Sequence, residues 1–207
     1  MDRDYTALPM LALDAGAGIR RPTQARSARI TLESPALEAM TDLSQVSAAT
    51  IRPQAPVEGA NQYMISRGVR LLLVVDDREF LAGLITATDI LGEKAVLVAT
   101  ERGLRRDELA VADIMTPMGQ IEAIALSEAQ SARVGHVVQT LKRAGRQHAL
   151  VVEFEDLPSG NRLDPPVHRP MVRGIFSVSQ IARQLGIAMQ TSEIAVTFSE
   201  IEAALGH

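Results

Sequence analysis

The 207-residue sequence contains no cysteine, no tryptophan and few aromatic residues of any kind. The lack of cysteine excludes disulfides, thiolate metal sites and a cysteine nucleophile. Because aromatic residues make up only 3% of the chain, the core has to be aliphatic, and a protein that stacks nucleic-acid bases on aromatic rings is disfavoured. Hydrophobic residues still reach 46%, which is enough for a sizeable folded core.

An excess of positive charge and long apolar runs are missing as well. Lys and Arg total 21 against 25 for Asp and Glu, giving a net charge of −4, so the overall charge gives no sign of binding to a nucleic-acid backbone. The first residues lack the basic and apolar segments of a secretory signal, and no run of about 18 apolar residues could span a bilayer. We therefore expect a soluble, cytoplasmic protein with neither a nucleic-acid nor a membrane partner.

What the sequence does contain is an internal repeat. Four landmarks of one segment recur later in the same order: Met40-Thr41 as Met115-Thr116; Val57, Ala60, Met64 and Gly68 as Val134, Val137, Leu141 and Gly145; residues 72–76 as 149–153; and residues 83–86 as 174–177. The order of the landmarks makes chance similarity improbable. The second copy is longer, chiefly between Glu153 and Gly174.

Each copy is predicted to be a β-α-β-β-α unit. In the first copy, residues 49–52 form a short strand, and residues 57–67 carry the apolar spacing of one helical face, which Gly68 closes. Residues 69–75 and 80–86 are predicted to form a hairpin, after which Thr88 or Asp89 opens a last helix. The nearly continuous apolar stretch before Asp76 indicates a strand covered on both faces, which requires two packed units. The fold class is therefore α+β, with an α/β-like arrangement.

The remaining segments are predicted from composition. The predicted organisation is an N-terminal arm or tail (1–33), a first unit (34–95), a helical linker (96–112), a second unit (113–190) and a C-terminal strand and helix (191–207). In the linker, apolar contacts are expected from Val96, Leu97, Leu104 and Leu109. Residues 154–172 contain four prolines (Pro158, Pro165, Pro166 and Pro170), so they are expected to form an extended loop, because proline cannot donate to a sheet ladder.

The sharpest local feature is the end of the third strand in each copy. The first copy has the hydroxyl of Thr86 and the carboxylate of Asp89 three residues apart at a strand-to-helix turn, and the second has Ser177 and Gln180. A carboxylate can accept hydrogen bonds from both vicinal hydroxyls of a ribose, and a helix N-terminus favours an anion. The same spacing is typical of a helix capping box, which is the commoner explanation. Both interpretations can hold together, and spacing does not separate them.

Three segments resemble those of a known family. Residues 111–117 (VADIMTP) resemble the opening segment of the second half of a tandem CBS-domain pair, named after cystathionine β-synthase and also called a Bateman module. Residues 68–76 are similar to the family's second-strand pattern, with Leu73 where a proline is usual, and residues 83–89 (GLITATD) match its nucleotide-contact pattern. The resemblance covers about residues 34–189. It implies a stand-alone, bacterial-type CBS-domain protein whose two units form a pseudo-two-fold pair, and such pairs often dimerise further.

The resemblance also implies adenosine ligands, such as AMP, ADP, ATP or S-adenosylmethionine, in clefts between the two units. They would act as regulatory ligands, with no catalytic cofactor. In the main cleft, Thr86 and Asp89 would hold the ribose, with the neighbouring Ala87 also in contact. Three residues of the second copy would lie near the base or phosphates: Ile124, Gln147 and His148.

A pseudo-symmetric second cleft is implied as well. It would use Ser177, with five residues of the first copy opposite: Ala49, Thr50, Val69, Arg70 and Leu71. Gln180 takes the position of the acid there, and a neutral amide accepts hydrogen bonds more weakly than a carboxylate. The Asp89 cleft is therefore expected to be the main site.

The predicted function is that of a non-catalytic module that senses an adenine nucleotide and signals to an effector protein, as a homodimer. The sequence offers no arrangement of nucleophile and base, and no histidine pair has the spacing of metal ligands. An alternative is a structural dimerisation or interaction module whose clefts have degenerated. Gln180 and Leu73 favour that alternative.

Overall fold

The computed structural model describes residues 29–157, 167–187 and 201 of the chain. Its strands are β1 (Thr41–Asp42), β2 (Thr50–Ile51), β3 (Leu71–Val75), β4 (Leu81–Thr86), β5 (Thr116–Pro117), β6 (Ala123–Ala125), β7 (His148–Leu157) and β8 (Val167–Ser177). Its α-helices are α1 (Val57–Arg67), α2 (Ala87–Leu91), α3 (Glu93–Arg102), α4 (Val111–Ile114), α5 (Leu126–Ser131), α6 (Val134–Ala144) and α7 (Val178–Gln184). Short 3-10 helices lie at Ala36–Ala39, Arg106–Glu108 and Met118–Gln120.

The strands form two four-stranded sheets, with the orders β2-β3-β4-β5 and β1-β8-β7-β6. In each sheet a short strand runs parallel to the first strand of a hairpin: β2 beside β3, and β6 beside β7. The fourth strand of each sheet comes from the other copy, because β1 pairs with β8 and β5 pairs with β4. The two units thus exchange their opening strands, and the predicted α+β fold of two duplicated units is confirmed.

The two copies also share their local irregularities. Gly68 ends α1 at φ 64° and Gly145 ends α6 at φ 61°, so both helices close in the left-handed conformation that glycine adopts without a steric penalty. The register of the central hairpin shifts at Val74/Val75 in the first copy and at Val151/Val152 in the second. These positions are equivalent in the sequence repeat, which therefore describes structure as well as composition.

The buried apolar residues form three clusters: the core of the first unit, the core of the second unit and a third cluster that contains residues of both. In β3, Leu72 and Val74 pack into the first unit's core beneath α1, α2 and α3, whereas Leu71 and Leu73 point the other way and meet Leu150 of β7. All five residues of β3 are buried, as expected for a strand covered on both faces. The third cluster therefore lies between the two sheets and joins the units.

The prediction of an extended loop over residues 154–172 is wrong at both ends of the segment, and its middle, residues 158–166, lies outside the described residues. Strand β7 continues to Leu157 and β8 begins at Val167, with Phe154 paired to Pro170. Among the described residues, β1 pairs with β8 only opposite Ile175 and Gly174, so no described strand lies beside Pro170 on that edge of β8, and a missing amide proton is tolerated at an unpaired edge. The other three prolines of the segment lie outside the described residues.

The linker prediction is only half right. A helix is present, but α3 begins at Glu93 and ends before Gly103. Leu109 is buried, whereas Val96, Leu97 and Leu104 are exposed, contrary to the expected apolar contacts. The reason is that α3 packs through its small residues, Ala95 and Ala99. The final helix of the first unit also begins earlier than predicted, at Ala87, because Thr86 caps it.

Most of the predicted arm and of the C-terminal extension lies outside the described residues. Of the extension only Ile201 is described, and it is buried in the core of the second unit. Ile30, just after the start of the described chain, packs in the same core.

Candidate functional site

The turn between β4 and α2 contains a complete capping box. The backbone N–H of Asp89 donates to Thr86 Oγ1 at 3.2 Å, and the Thr86 N–H and hydroxyl both donate to Asp89 Oδ2, at 2.9 and 2.7 Å. The capping interpretation of this spacing is therefore confirmed. These bonds engage one carboxylate oxygen of Asp89.

The other oxygen of the Asp89 carboxylate contacts a lysine. Lys94 Nζ lies 2.9 Å from Oδ1, with the Asp89 side chain 16% exposed and the Lys94 side chain 43% exposed. Lys94 belongs to the first turn of α3, immediately after Gly92, which separates α3 from α2. The sequence interpretation did not include this lysine, because its contact depends on the bend at Gly92.

A cavity of about 420 Å³ opens beside this turn, between the two units. From the first unit it is lined by Leu71, Leu84, Thr86, Thr88 and Asp89, and from the second by Thr116, Gln120, Ile121, Glu122, Gly145, Arg146, Gln147, His148 and Leu150. Four of the residues predicted for the main cleft, Thr86, Asp89, Gln147 and His148, thus surround one cavity. The other two do not line it: Ala87 is buried in the core of the first unit, and Ile124 packs against the core of the second.

The walls of the cavity are of two kinds. Leu71, Leu84, Ile121 and Leu150 give it an apolar floor, continuous with the cluster between the sheets. At its second-unit side, Arg146 and Glu122 form an ion pair with 3.1 Å between Nη2 and Oε2, and both side chains are accessible to solvent. The sequence interpretation missed these residues. The sequence repeat included Thr116, but not as a residue of the site. Thr116 lies in the cavity wall because β5, to which it belongs, pairs with β4 of the first unit.

His148 remains neutral at the inner wall. Loss of hydration around its partly buried imidazole, with a further contribution from the positive charge of Arg70, lowers its pKa to about 4, and the negative charge of Asp89 opposes this effect. The imidazole therefore offers one donor and one acceptor at neutral pH. It adds no positive charge to the cavity.

The residues predicted for a second cleft are not gathered in the same way. The amide oxygen of Gln180 accepts a hydrogen bond from the hydroxyl of Thr41 at 2.7 Å, and the hydroxyls of Ser177 and Ser179 lie 2.9 Å apart. Ser177 makes no side-chain cap on α7. The Gln180 amide, which corresponds to the Asp89 carboxylate, is thus hydrogen-bonded to a residue of β1, and Ser177 does not form a capping box with it.

The five residues expected opposite Ser177 lie on the first unit. Leu71 lines the Asp89 cavity, because β3 and β4 are antiparallel and Leu71 is directly opposite Thr86. The positive charge of Arg70 helps to lower the pKa of His148, which lines that same cavity. Ala49 and Val69 pack against the first core, and Thr50 is exposed. Among the described residues, one member of the predicted second set, Leu71, therefore lines the main cavity.

Within residues 29–157, 167–187 and 201, no group of three or more histidine or acidic side chains is arranged to hold a metal ion. No helix in those same ranges is both long enough and apolar enough to cross a bilayer.

Comparisons with known proteins agree with this architecture. Residues 36–95 match the family model of the CBS domain. A protein from Pyrococcus horikoshii, described as an uncharacterized conserved protein, has a similar structure with a TM-score of 0.52 and 21% identity, covering 79% of this chain and all of the other. A protein with CBS domains from Burkholderia ambifaria MC40-6 has a TM-score of 0.50 and 20% identity, covering 78% of this chain and 98% of its own. At these identities the likeness concerns the fold.

A third similar structure is that of CBSX2 from Arabidopsis thaliana in complex with AMP. Its TM-score is 0.45 and its identity 17%, with 72% of this chain and 94% of that chain covered. No curated protein matches the sequence.

Proposed function

Because the chain carries a CBS domain at residues 36–95 and folds as a tandem pair of such units, we propose that it is a non-catalytic regulatory module for an adenosine-type ligand. AMP, ADP and ATP are the ligands to test first, and the ligand would occupy the cavity between the units. One observation carries the proposal: a single cavity combines Thr86 and Asp89 of one unit with Gln147 and His148 of the other.

The cavity has the physical character that such a ligand needs. Its volume of about 420 Å³ lies within the range of ordinary small-molecule sites. The leucine and isoleucine floor offers an apolar surface to a base, and the Asp89 carboxylate at the rim offers an acceptor to sugar hydroxyls. A carboxylate has about four lone-pair sites, so the capping bonds and the lysine contact leave acceptor capacity.

Binding at this place would bear on the arrangement of the two units. A ligand that contacts Asp89 from one unit and His148 from the other favours whichever relative placement lets it touch both, to the extent of its differential affinity for the two states. The change would then be passed to an effector protein. No nucleophile or metal is needed for such a role.

The direct test is calorimetric titration of AMP, ADP and ATP into the wild type and Asp89→Asn. Asparagine keeps an oxygen that can accept the hydrogen bonds from the Thr86 N–H and hydroxyl but loses the negative charge, and hydrogen bonds to charged groups are worth about 1.5–3 kcal/mol. We therefore expect the affinity of Asp89→Asn to fall by about 10-fold or more.

The chain offers a closely matched control. Asp113 also accepts a cap bond, from the Ala110 N–H, and forms an ion pair with Arg102, and its side chain is 18% exposed. It does not line the cavity. Asp113→Asn should therefore bind like the wild type. If no adenine nucleotide binds the wild type or raises its melting temperature, the ligand proposal fails and the structural module with degenerated clefts, which the Thr41–Gln180 contact favours, takes its place.

We further propose that the module is a homodimer joined through the outer surface of the first unit. Four large apolar side chains are more than half exposed there: Ile65, Leu91, Val96 and Leu97. A second copy is the partner that we propose for this surface, because the resemblance to tandem CBS-domain pairs implies that such pairs dimerise further, and a dimer about a two-fold axis buries the same patch of both copies.

Leu97→Glu should convert the dimer to a monomer, since two new carboxylates would face each other in an apolar contact. Light scattering coupled to size-exclusion chromatography measures the mass directly. Phe154→Glu is the control, because Phe154 is 63% exposed but lies on β7 in the second unit. A monomeric wild type, or equal masses for both variants and the wild type, would contradict the proposed interface.

A further inference from the structure

Lys94 contacts the carboxylate that the proposed function assigns to the ligand. Its ammonium lies 2.9 Å from Asp89 Oδ1, whereas the two donors of the capping box bind Oδ2. The oxygen that a sugar hydroxyl could approach is therefore the oxygen that Lys94 holds. A ligand that needs Asp89 has to share this oxygen with the lysine or displace it.

The identity of this cation is unusual for the chain. The sequence has two lysines, Lys94 and Lys142, against 19 arginines. At the start of α4, where the carboxylate of Asp113 likewise accepts a hydrogen bond from the backbone N–H three residues earlier, that carboxylate is paired with Arg102. Arginine grips a carboxylate through a planar fork, whereas the lysine ammonium is a strongly hydrated point charge on a flexible stem. Lysine is therefore the cation that leaves a carboxylate more readily.

The ion pair between Lys94 and Asp89 also costs little free energy to break. The Lys94 side chain is 43% exposed, so its ammonium can return to water without being stranded in an apolar environment. Ion pairs at such exposed positions contribute little, and losing one changes an equilibrium by about 2- to 5-fold. The ion pair can therefore lower the affinity of a ligand by this factor without preventing the ligand from binding.

We propose that Lys94 is a built-in competitor for the ligand, a cation that occupies Asp89 in the empty cleft and is displaced on binding. This inference rests on the proposed function of the cavity. Displacement would free the first turn of α3 from α2, and α3 carries Val96 and Leu97 on the apolar surface described above. Occupancy of the cavity is thereby connected to a surface that faces away from the core.

The test compares the wild type with Lys94→Met, which keeps the length of the side chain but removes its charge. Adenosine and AMP are titrated at about 50 and about 500 mM NaCl, across which the Debye length falls several-fold. For Lys94→Met at low salt we expect binding of both ligands to be tighter, by about 2- to 5-fold with adenosine. Salt should tighten adenosine binding to the wild type by weakening the competing ion pair, and it should leave adenosine binding by Lys94→Met unchanged.

Lys142→Met is the matched control, because Lys142 lies on α6, is exposed and does not line the cavity. It should bind like the wild type at both salt concentrations. If Lys94→Met binds the ligands no more tightly than the wild type, the inference is overturned and the proposed ligand site still stands. If only AMP binds more weakly, the inference is likewise overturned, and Lys94 is identified as a contact of the phosphate. If neither ligand binds either protein, the proposed function falls and the competitor role with it.

Discussion

Replacing Gly83 by alanine is expected to destabilise the protein by about 1–3 kcal/mol, the usual cost of forcing an extra carbon into a packed site. A Cβ at this position would lie 2.5 Å from the carbonyl oxygen of Thr116 and 3.0 Å from Met115 Sδ. The carbonyl belongs to the backbone of β5, the strand that the second unit contributes to the first sheet. The steric conflict can therefore be relieved only by moving a paired strand.

The equivalent glycine of the second copy provides the control. A Cβ on Gly174 would meet the thioether end of Met40, and a methionine side chain has three rotatable bonds with which to move aside. Gly174→Ala should therefore cost clearly less than Gly83→Ala, although the two glycines are counterparts in the repeat. Urea unfolding of both variants measures the difference. Equal losses of stability, or a larger loss for Gly174→Ala, would mean that β5 does not lie against β4 as the structure has it.

The contrast between these glycines shows what the repeat could and could not predict. The repeat established that two units are present and where α1 and α6 end, because a glycine after an amphipathic helix is a strong local signal. It could not predict that the opening strands are exchanged. Strands β1 and β5 have two residues each, which is too few for an apolar alternation, and their pairing depends on how the units pack.

The cavity shows the same division between local and tertiary information. Thr86 and Asp89 were predicted together from their spacing at a strand-to-helix turn, whereas His148 was placed in the same cleft only by the resemblance to the CBS-domain family. Ile124 was predicted on the base but packs on a core instead. It is the middle residue of a three-residue strand, and a register change by one residue reverses the face to which a side chain points. So short a strand cannot specify that choice.

The exposed residues of α3 illustrate a third limit. Val96 and Leu97 were expected to be packed because they are apolar, yet the helix packs through Ala95 and Ala99. Alanine allows close approach of a helix to its support, whereas the larger side chains remain on the outer face. A sequence with apolar residues all round a helix does not say which stripe faces the core. Only the placement of α2 and α4 beside α3 determines it.

Acidification is expected to destabilise the protein through His148. Its pKa of about 4 lies below the value of about 6.5 for an unperturbed histidine. Between these two values the unfolded chain binds a proton that the native protein does not, so the free energy of unfolding falls as the pH decreases from about 6.5 to about 4. The full loss is on the order of 3 kcal/mol, an upper bound because the imidazole keeps some contact with solvent.

His148→Gln removes this titration while keeping a neutral side chain that donates and accepts hydrogen bonds. Relative to the wild type, the variant should gain stability on going from about pH 7.5 to about pH 4.5, by up to about 2–3 kcal/mol, as measured by urea unfolding at both values. Carboxylates titrate in both proteins and cancel in the comparison. His136→Gln, at an exposed position on α6, controls for loss of a histidine as such. A constant difference between wild type and His148→Gln at the two pH values would show that His148 titrates normally. The imidazole would then become positively charged as the pH falls through about 6.5, and the affinity for a ligand beside Asp89 would change over that pH range. With the lowered pKa the imidazole stays neutral there, and the affinity stays constant.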